Sequence, residues 1–284
     1  MPFDPQSGRS FALERGDGAA ELIFAARGAG GNGLAHLYQT DPCRVLFPRA
    51  EPGHPPTAVL LTTSGGLTGG DRVRISMAAR DGAVATVTSQ AAEKIYRALE
   101  GDCLIDVAVN VGRAWLEWLP QETILFDGAR LRRRTEVVVA PGGRFLGCEM
   151  LVFGRTARGE SMMAGFLHDA WRIRRRGALV WADALRLDGD IAAALGHPFS
   201  FDGATAMATA VYVADEAERH LEPARASLEG ASSKAAVTVV NGVLLARFIG
   251  RNAADVRRDL VAYLCALRQA AGGWPAVLPR VWYH

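Results

Sequence analysis

The sequence predicts a mainly β protein with layered strands and a few α-helices, mostly toward the C-terminus. Segments in which apolar and polar residues alternate fill much of the chain, as half-buried strands require. Short turn signals such as Pro141-Gly142-Gly143 and Asp188-Gly189 separate these segments. Strand therefore follows strand without the intervening helices that βαβ winding needs, which favours an antiparallel or layered architecture.

Each strand is predicted by its own alternation. Val73, Ile75 and Met77 alternate with polar residues in VRISM, behind a glycine-rich loop. Comparable segments follow in AVATVTS, CLIDVAVNVG, RRRTEVVVA, GRFLGCEMLVFG and ATAMATAVYVA. The clearest hairpin is AVTVVNGVLLARF, because Asn241-Gly242 suits the two positive φ angles of a type I′ turn.

Three helices are predicted. The strongest follows Asn252, a suitable N-cap, and ends near Gly272. Its apolar stripe consists of Val256, Leu260, Leu264 and Leu267. A second runs from 215 to 228 and is interrupted at Pro223. A short third helix covers residues 89–99, SQAAEKIYRAL, and is capped by its first serine.

Composition narrows the classes of function. A net charge of +2 over 284 residues does not indicate binding to nucleic acid or to an anionic membrane. The opening MPFDPQSGRS has no apolar signal region, and no apolar run reaches the length of a membrane span, so we expect a cytoplasmic protein. With no linker-like stretch, we expect one domain over residues 1–284, with residues 1–19 as a flexible N-terminal segment.

The metal-binding residue types are scattered. The four cysteines form no C-x-x-C pair, which favours free buried thiols over a zinc site or a disulfide framework. The six histidines show none of the spacings of a strong metal motif. No stably bound metal or other cofactor is therefore expected.

The stretch TTSGGLTGGD, residues 62–71, looks at first like a phosphate-binding loop. Asp71 stands where the lysine of that motif belongs, and Arg72 where its hydroxyl residue belongs. A strand follows in place of a helix, so the glycines join two strands.

Three other stretches have both structural and functional interpretations. The runs RLRRR (130–134) and WRIRRR (171–176) lie in predicted strands, where alternation places arginines on both faces; solvated faces or an acidic protein partner are favoured over nucleic acid. Trp115 and Trp118 do not share one strand face, so one ring is expected near the surface unless both pack in the core. GRTARGE (154–160) offers a structural ion pair.

Taken together, several motifs resemble the urease accessory proteins of the UreD family, called UreH in some systems. They are GGLTGGD (65–71), TSQAAEKIYRA (88–98), LEWLPQETILFDGA (116–129), GRTARGE (154–160) and LPRVW (278–282). The residues that match the family's motifs are Gly65, Gly66, Gly69, Gly70, Gln90, Lys94, Tyr96, Arg97, Pro120, Gly154, Arg155 and Gly159. Glu93 is a departure, because the family more often carries threonine there.

The resemblance implies a non-enzymatic scaffold with a partly β-helical stack of strands. Such proteins bind UreF, which recruits the GTPase UreG, and the assembly docks on apo-urease to promote nickel delivery and lysine carbamylation. GTP would then be used only by the partner, and Ni²⁺ would be in transit. Asp71 and Glu160, with Ser89 nearby, are the candidate residues of a transient nickel path.

Other interpretations stay open at this point. Asp71 and Glu160 are also candidates for the paired carboxylates of a hydrolase on a β scaffold. A plain binding module would use its arginine faces to hold an acidic protein. In a purely structural interpretation, Glu160 pairs with Arg155 or Arg158 and Asp71 caps its own turn.

Overall fold

The computed structural model describes residues 15–27, 31–49, 51–80 and 82–283. Residues 1–14 of the predicted flexible segment lie outside this description, whereas residues 17–19 begin the first strand. Within the described residues, no helix combines the length and the apolar character needed to cross a membrane.

The described residues form seventeen strands and three α-helices. The strands are β1 (Asp17–Arg27), β2 (Gly31–Thr40), β3 (Cys43–Leu46), β4 (Thr57–Thr62), β5 (Arg72–Arg80), β6 (Val84–Ser89), β7 (Glu93–Ile95), β8 (Cys103–Val111), β9 (Trp115–Leu119), β10 (Thr123–Leu125), β11 (Arg130–Val139), β12 (Arg144–Phe153), β13 (Ala164–Arg175), β14 (Ala178–Asp190), β15 (Ala206–Val213), β16 (Lys234–Val240) and β17 (Val243–Gly250). The helices are α1 (Ile191–Gly196), α2 (Leu221–Ala226) and α3 (Ala253–Leu267).

The strands form two mixed sheets. A seven-stranded sheet has the order β14-β13-β11-β8-β5-β1-β2, and a ten-stranded sheet contains β16-β17-β15-β12-β9-β6-β4-β3 with β7 and β10 beside this path. From β4 to β13 the chain passes repeatedly from one sheet to the other, and successive strands within each sheet pair in parallel. Antiparallel pairs flank this stack, including the hairpin at Asn241-Gly242, where both residues have positive φ. The predicted mainly β, layered and partly β-helical fold is confirmed.

The main core lies between the two sheets. The inward side chains of β8, including Ile105, Val107 and Val109, are buried there, as their alternation predicts. A second apolar cluster lies on the outer face of the ten-stranded sheet, where α3 packs. Strand β9 is consequently buried on both faces, so Trp115 and Trp118 are both buried, and core packing is confirmed over a ring near the surface.

The helix predicted over residues 89–99 is wrong. Glu93–Ile95 is instead the short strand β7, which pairs in parallel with β10. The Ser89 hydroxyl does not cap a helix, because it accepts a hydrogen bond from the backbone N–H of Gln121 at 2.8 Å. Tertiary pairing therefore overrides the local helical pattern.

The predicted C-terminal helices need smaller corrections. Asn252 caps α3 as predicted, but the helical turns continue through Gly272, and Gly273 takes the left-handed conformation that ends them. Pro223 lies in the first turn of α2 and does not interrupt it, because backbone N–H groups in the first turn have no partner within the helix.

Candidate functional site

Four buried apolar residues bring the motifs together along a narrow third side of the stack. Leu67 bridges to Ile95, Ile95 pairs with Leu125, and Leu125 pairs with Phe153. Each is at most 1% exposed. Four segments distant in sequence are thus held in neighbouring layers, and the turns beside them form one surface.

We call this surface the motif corner and define it by Gly65, Tyr96, Phe126, Arg155 and Glu160. The Tyr96 hydroxyl donates to the Gly65 carbonyl at 3.1 Å, and the Tyr96 ring meets Phe126 edge-on at 4.8 Å. The Arg155 guanidinium lies 4.7 Å from the Phe126 ring centre and pairs with Glu160. Cation–π contact and ion pairing therefore connect the layers at the surface.

The glycines of the loop at residues 65–70 permit close packing. A Cβ atom on Gly66 would lie 2.9 Å from the Lys94 carbonyl oxygen, and one on Gly69 would lie 2.3 Å from the Glu100 carbonyl oxygen. The Gly70 N–H donates to the Asp102 carbonyl at 3.1 Å. The loop seats against the next layer of the stack, so its glycines have a structural reason that involves no phosphate.

Gly66→Ala is expected to destabilise the protein more than Gly65→Ala. The first change meets backbone at a φ of +145°, whereas Gly65 has a φ of +72° and open space around it. We expect losses of about 3 kcal/mol for Gly66→Ala and about 1 kcal/mol for Gly65→Ala in the free energy of unfolding. Thermal unfolding of both variants measures the difference, and equal melting temperatures would refute the packing explanation.

Asp71 caps its own turn. Its Oδ1 accepts from the Gly16 N–H and its Oδ2 from the Thr68 N–H, each at 2.8 Å, and the residue is 7% exposed. Glu160 pairs with Arg155 and not with Arg158. Both structural contacts considered from the sequence are therefore present. The two carboxylates contact different groups, and no described contact joins them as an acid/base pair.

The remaining motif residues of the corner hold its turns. Arg97 pairs with Asp127 at 2.8 Å, and Asp127 Oδ1 accepts from the backbone N–H groups of Met163 and Ala164. These backbone hydrogen bonds, together with Arg97, lower the pKa of Asp127. Gly154, with a φ of +94°, and Gly159, with a φ of +72°, begin and end the turn that carries Arg155.

A cavity of about 70 Å³ lies between the two sheets, next to the corner, and apolar side chains such as Leu67, Val73 and Trp118 form most of its wall. Its lining includes Thr62, Ser89, Glu93, Pro120, Gln121, Thr123, Arg133 and Glu149. This volume has room for a few water molecules. Gln121 closes one side, because its Nε2 donates to the Gln90 carbonyl at 2.8 Å and to the Val281 carbonyl at 2.8 Å.

A buried charge cluster forms the deep end of the cavity. Arg133 donates to Asp169, to Glu149 at 3.1 Å and to Thr123 at 3.0 Å, and Trp171 donates to Glu149. Burial, with the nearby Asp169 charge, raises the pKa of Glu149 to about 8 against the effect of Arg133. Glu149 is therefore a carboxyl that gains or loses a proton near neutral pH.

Glu93 lies at the shallow end, between the cavity and a surface groove. Both spaces are lined by Thr62, Ser89 and Glu93. Burial raises the pKa of Glu93 to about 7, although the Thr62 hydroxyl donates to its carboxylate at 3.1 Å. The pKa of the buried Cys103 thiol rises to about 12 through burial and through the charges of Asp71 and Glu93. Both carboxylates therefore act on one region of the interior.

Glu93 is expected to make the protein less stable as pH rises. Its pKa is raised from 4.5 to about 7, so between these values the unfolded chain loses a proton that the folded protein keeps. Urea unfolding from pH 4 to pH 8 should show a Glu93 contribution that falls by on the order of 1–3 kcal/mol, absent from Glu93→Gln. Parallel stability curves for the two proteins would contradict this.

Sequence reasoning missed the buried cluster and the position of Glu93. The signal for Arg133 was present, because alternation in β11 places residue 133 inward with Leu131 and Thr135. The carboxylates of Glu149 and Asp169 come from β12 and β13, and no local sequence pattern indicates that they pair with Arg133. Among the described residues, no group of three or more His, Cys, Asp and Glu side chains is placed to hold a metal ion.

The fold and the site define a class of protein: a partly β-helical stack of strands whose distinctive residues form a corner of stacked turns beside a cavity lined by two carboxylates. Residues 16–283 match the model of the UreD urease accessory protein family. The chain belongs to this family, and its membership supports a role in urease maturation. The description as an accessory protein implies a maturation factor and not a catalyst.

Curated relatives agree over nearly the full length. The chain is 44% identical to a urease accessory protein UreD from Magnetococcus marinus, with 93% of each chain covered. It is 43% identical to a UreD from Xanthobacter autotrophicus, over 99% of this chain and 96% of the relative. It is also 43% identical to one from Azorhizobium caulinodans, over 89% and 92%. The resemblance stated from the motifs is confirmed.

Proposed function

We propose that this protein is a cytoplasmic scaffold that binds UreF, through UreF the GTPase UreG, and apo-urease, and that it promotes nickel insertion into urease. GTP hydrolysis belongs to UreG, and Ni²⁺ is cargo and not a resident cofactor. The observation that carries the proposal is the cavity between the two sheets, which has one carboxylate, Glu93, at its shallow end and another, Glu149, at its deep end.

The chemistry of this cavity suits transfer better than storage. Carboxylate, hydroxyl and carbonyl oxygens hold Ni²⁺ less firmly than imidazole or thiolate groups do. Glu93 and Glu149 both line the cavity. Carboxylates that lie apart from one another would bind Ni²⁺ one at a time and weakly. The ion could then pass from one carboxylate to the next.

Asp71, Ser89 and Glu160 remain our proposed transient contacts for nickel. Ser89 has the most direct support, because it lines both the cavity and the surface groove. Glu160 lines a surface pocket of about 530 Å³ at the motif corner, where Ni²⁺ would have to compete with Arg155. Asp71 keeps a second lone pair on each oxygen beyond its two backbone hydrogen bonds.

The test combines co-purification with activation. A tagged wild-type chain should recover UreF, UreG and apo-urease from the same source. Ser89→Ala and Glu160→Gln should recover the same partners yet lower urease activity and nickel content in cells. In Asp71→Asn the side-chain NH₂ group faces a backbone N–H, and two donors cannot form a hydrogen bond. The folding of this variant is therefore checked before its activity. Failure of the wild type to bind UreF would refute the scaffold, and full activation by all three variants would remove these residues from the path.

A further inference from the structure

The outer face of the seven-stranded sheet carries rows of arginines. We call it the arginine face and define it by Arg72, Arg74, Arg132, Arg134, Arg172 and Arg174, on β5, β11 and β13. In register, Arg72 and Arg132 flank Leu104 of β8, and Arg74 and Arg134 flank Asp106. All six are exposed, so alternation has placed them on one solvent-facing surface.

Half of these arginines have acidic partners. Arg74 pairs with Asp17 at 2.6 Å, Arg132 with Asp102 at 3.0 Å and Arg134 with Asp106 at 3.2 Å. For Arg72, Arg172 and Arg174, no acidic side chain within the described ranges forms an ion pair. Asp17 and Glu136 stand in register beside Arg72 and Arg172 but pair with other arginines, so the face presents three guanidinium groups that form no ion pair among the described residues.

Two exposed aliphatic side chains lie beside one of these cations. Arg174 stands in register between Val138 and Leu179, which are 43% and 47% exposed. Arginines next to exposed apolar groups are typical of protein interfaces, in which arginine is enriched and apolar area is buried on binding. The combination favours a partner with both carboxylates and apolar contacts to offer.

The dimensions of the face fit a protein partner. Its four neighbouring strands, β13, β11, β8 and β5, lie about 4.8 Å apart and give a width of about 20 Å, and strands of this length give a height of about 30 Å. That area of about 600 Å² is most of the roughly 800 Å² per partner of a standard interface, and the flanking strands of the same sheet extend it. The arginines project from long strands that are hydrogen-bonded to one another in the sheet. The surface that they form therefore exists before a partner binds.

We propose that the arginine face docks an acidic surface of a protein partner. Nucleic acid fits less well, because the aromatic ring beside these arginines is covered. Phe166, the ring nearest these arginines, is 3% exposed beneath the guanidinium groups of Arg130, Arg132 and Arg186, and cannot stack on a base.

The test compares Arg172→Glu/Arg174→Glu with a matched charge reversal, Arg219→Glu/Arg225→Glu, next to and within α2 on the other side of the molecule. Immobilised wild type and variants are probed with the purified UreF–UreG complex, apo-urease, a fluorescein-labelled polyglutamate peptide and a labelled DNA duplex. The choice of the first two probes rests on the proposed function. We expect one protein probe to lose about tenfold or more in affinity for Arg172→Glu/Arg174→Glu alone, and wild-type binding to weaken with salt.

Each probe separates a different failure. If neither the UreF–UreG complex nor apo-urease binds the wild type, the proposed function fails. The polyglutamate peptide then tests the arginine face by itself. Peptide binding that is lost only in Arg172→Glu/Arg174→Glu supports the arginine face as a docking surface. If the two double variants bind every protein and peptide probe with the same affinity, the arginine face is not a docking surface. Tightest binding to the duplex would assign it to nucleic acid instead.

Discussion

Replacement of Arg133 by methionine is expected to lower the free energy of unfolding by about 3–5 kcal/mol. The guanidinium is buried between Asp169 and Glu149, and its loss leaves the Asp169 carboxylate in the core without its cation and removes a hydrogen-bond donor to Glu149. Methionine fills much of the space of the arginine side chain. The loss of stability therefore reflects the missing positive charge more than a change in packed volume. Urea unfolding at neutral pH provides the measurement.

The neighbouring residue is a matched control. Arg134 lies on the same strand, is 56% exposed and pairs with Asp106 at the surface. Arg134→Met should cost less than about 1 kcal/mol, because exposed ion pairs contribute little. If the two variants lose similar free energies of unfolding, the buried charge cluster does not stabilise the fold more than a surface ion pair does.

Glu149→Gln is expected to reduce urease activation while the protein stays folded and bound to its partners. Because burial raises the pKa of Glu149, glutamine resembles the protonated form of this side chain. Arg133 keeps Asp169, and the glutamine carbonyl can still accept from Trp171. The ionised form is lost, however, and with it the deep carboxylate of the proposed path. We expect activation to fall by about tenfold, as changes around metal sites commonly cause.

Its measurement needs both activity and assembly. Urease activity and nickel content are determined in cells that carry Glu149→Gln, with the exposed Glu229→Gln as the control. Co-purified UreF and UreG should be unchanged in both. Normal activation by Glu149→Gln would show that nickel does not use the deep end of the cavity, whereas loss of the partners would show a structural role.

The sequence predicted what local patterns determine. Alternation in β5, β8 and β11 correctly assigned inward and outward residues, and Asn241-Gly242 correctly predicted the last hairpin. The β-helical stacking came only from the resemblance, because parallel pairing between β4 and β13 depends on contacts far apart in sequence. The same dependence explains why β7 was taken for a helix: its three residues are strand only because β10 lies beside them.

The candidate site divides in the same way. The motif corner could be recognised from its separate motifs, although no spacing indicated that Tyr96, Phe126 and Arg155 lie in contact. The cavity could not be predicted, since its lining comes from strands of both sheets. Glu93 was noticed only as a departure from the family pattern, and its place at the mouth of the cavity required the fold.

The most direct test of the central claim is nickel transfer with purified components. Apo-urease is mixed with UreF, UreG, GTP and Ni²⁺, with or without this protein, and the nickel bound to urease is measured together with urease activity. We expect substantial nickel and activity only when the protein is present, and a marked loss of both when Glu149→Gln replaces it. Equal nickel loading of urease with and without the protein would contradict the account.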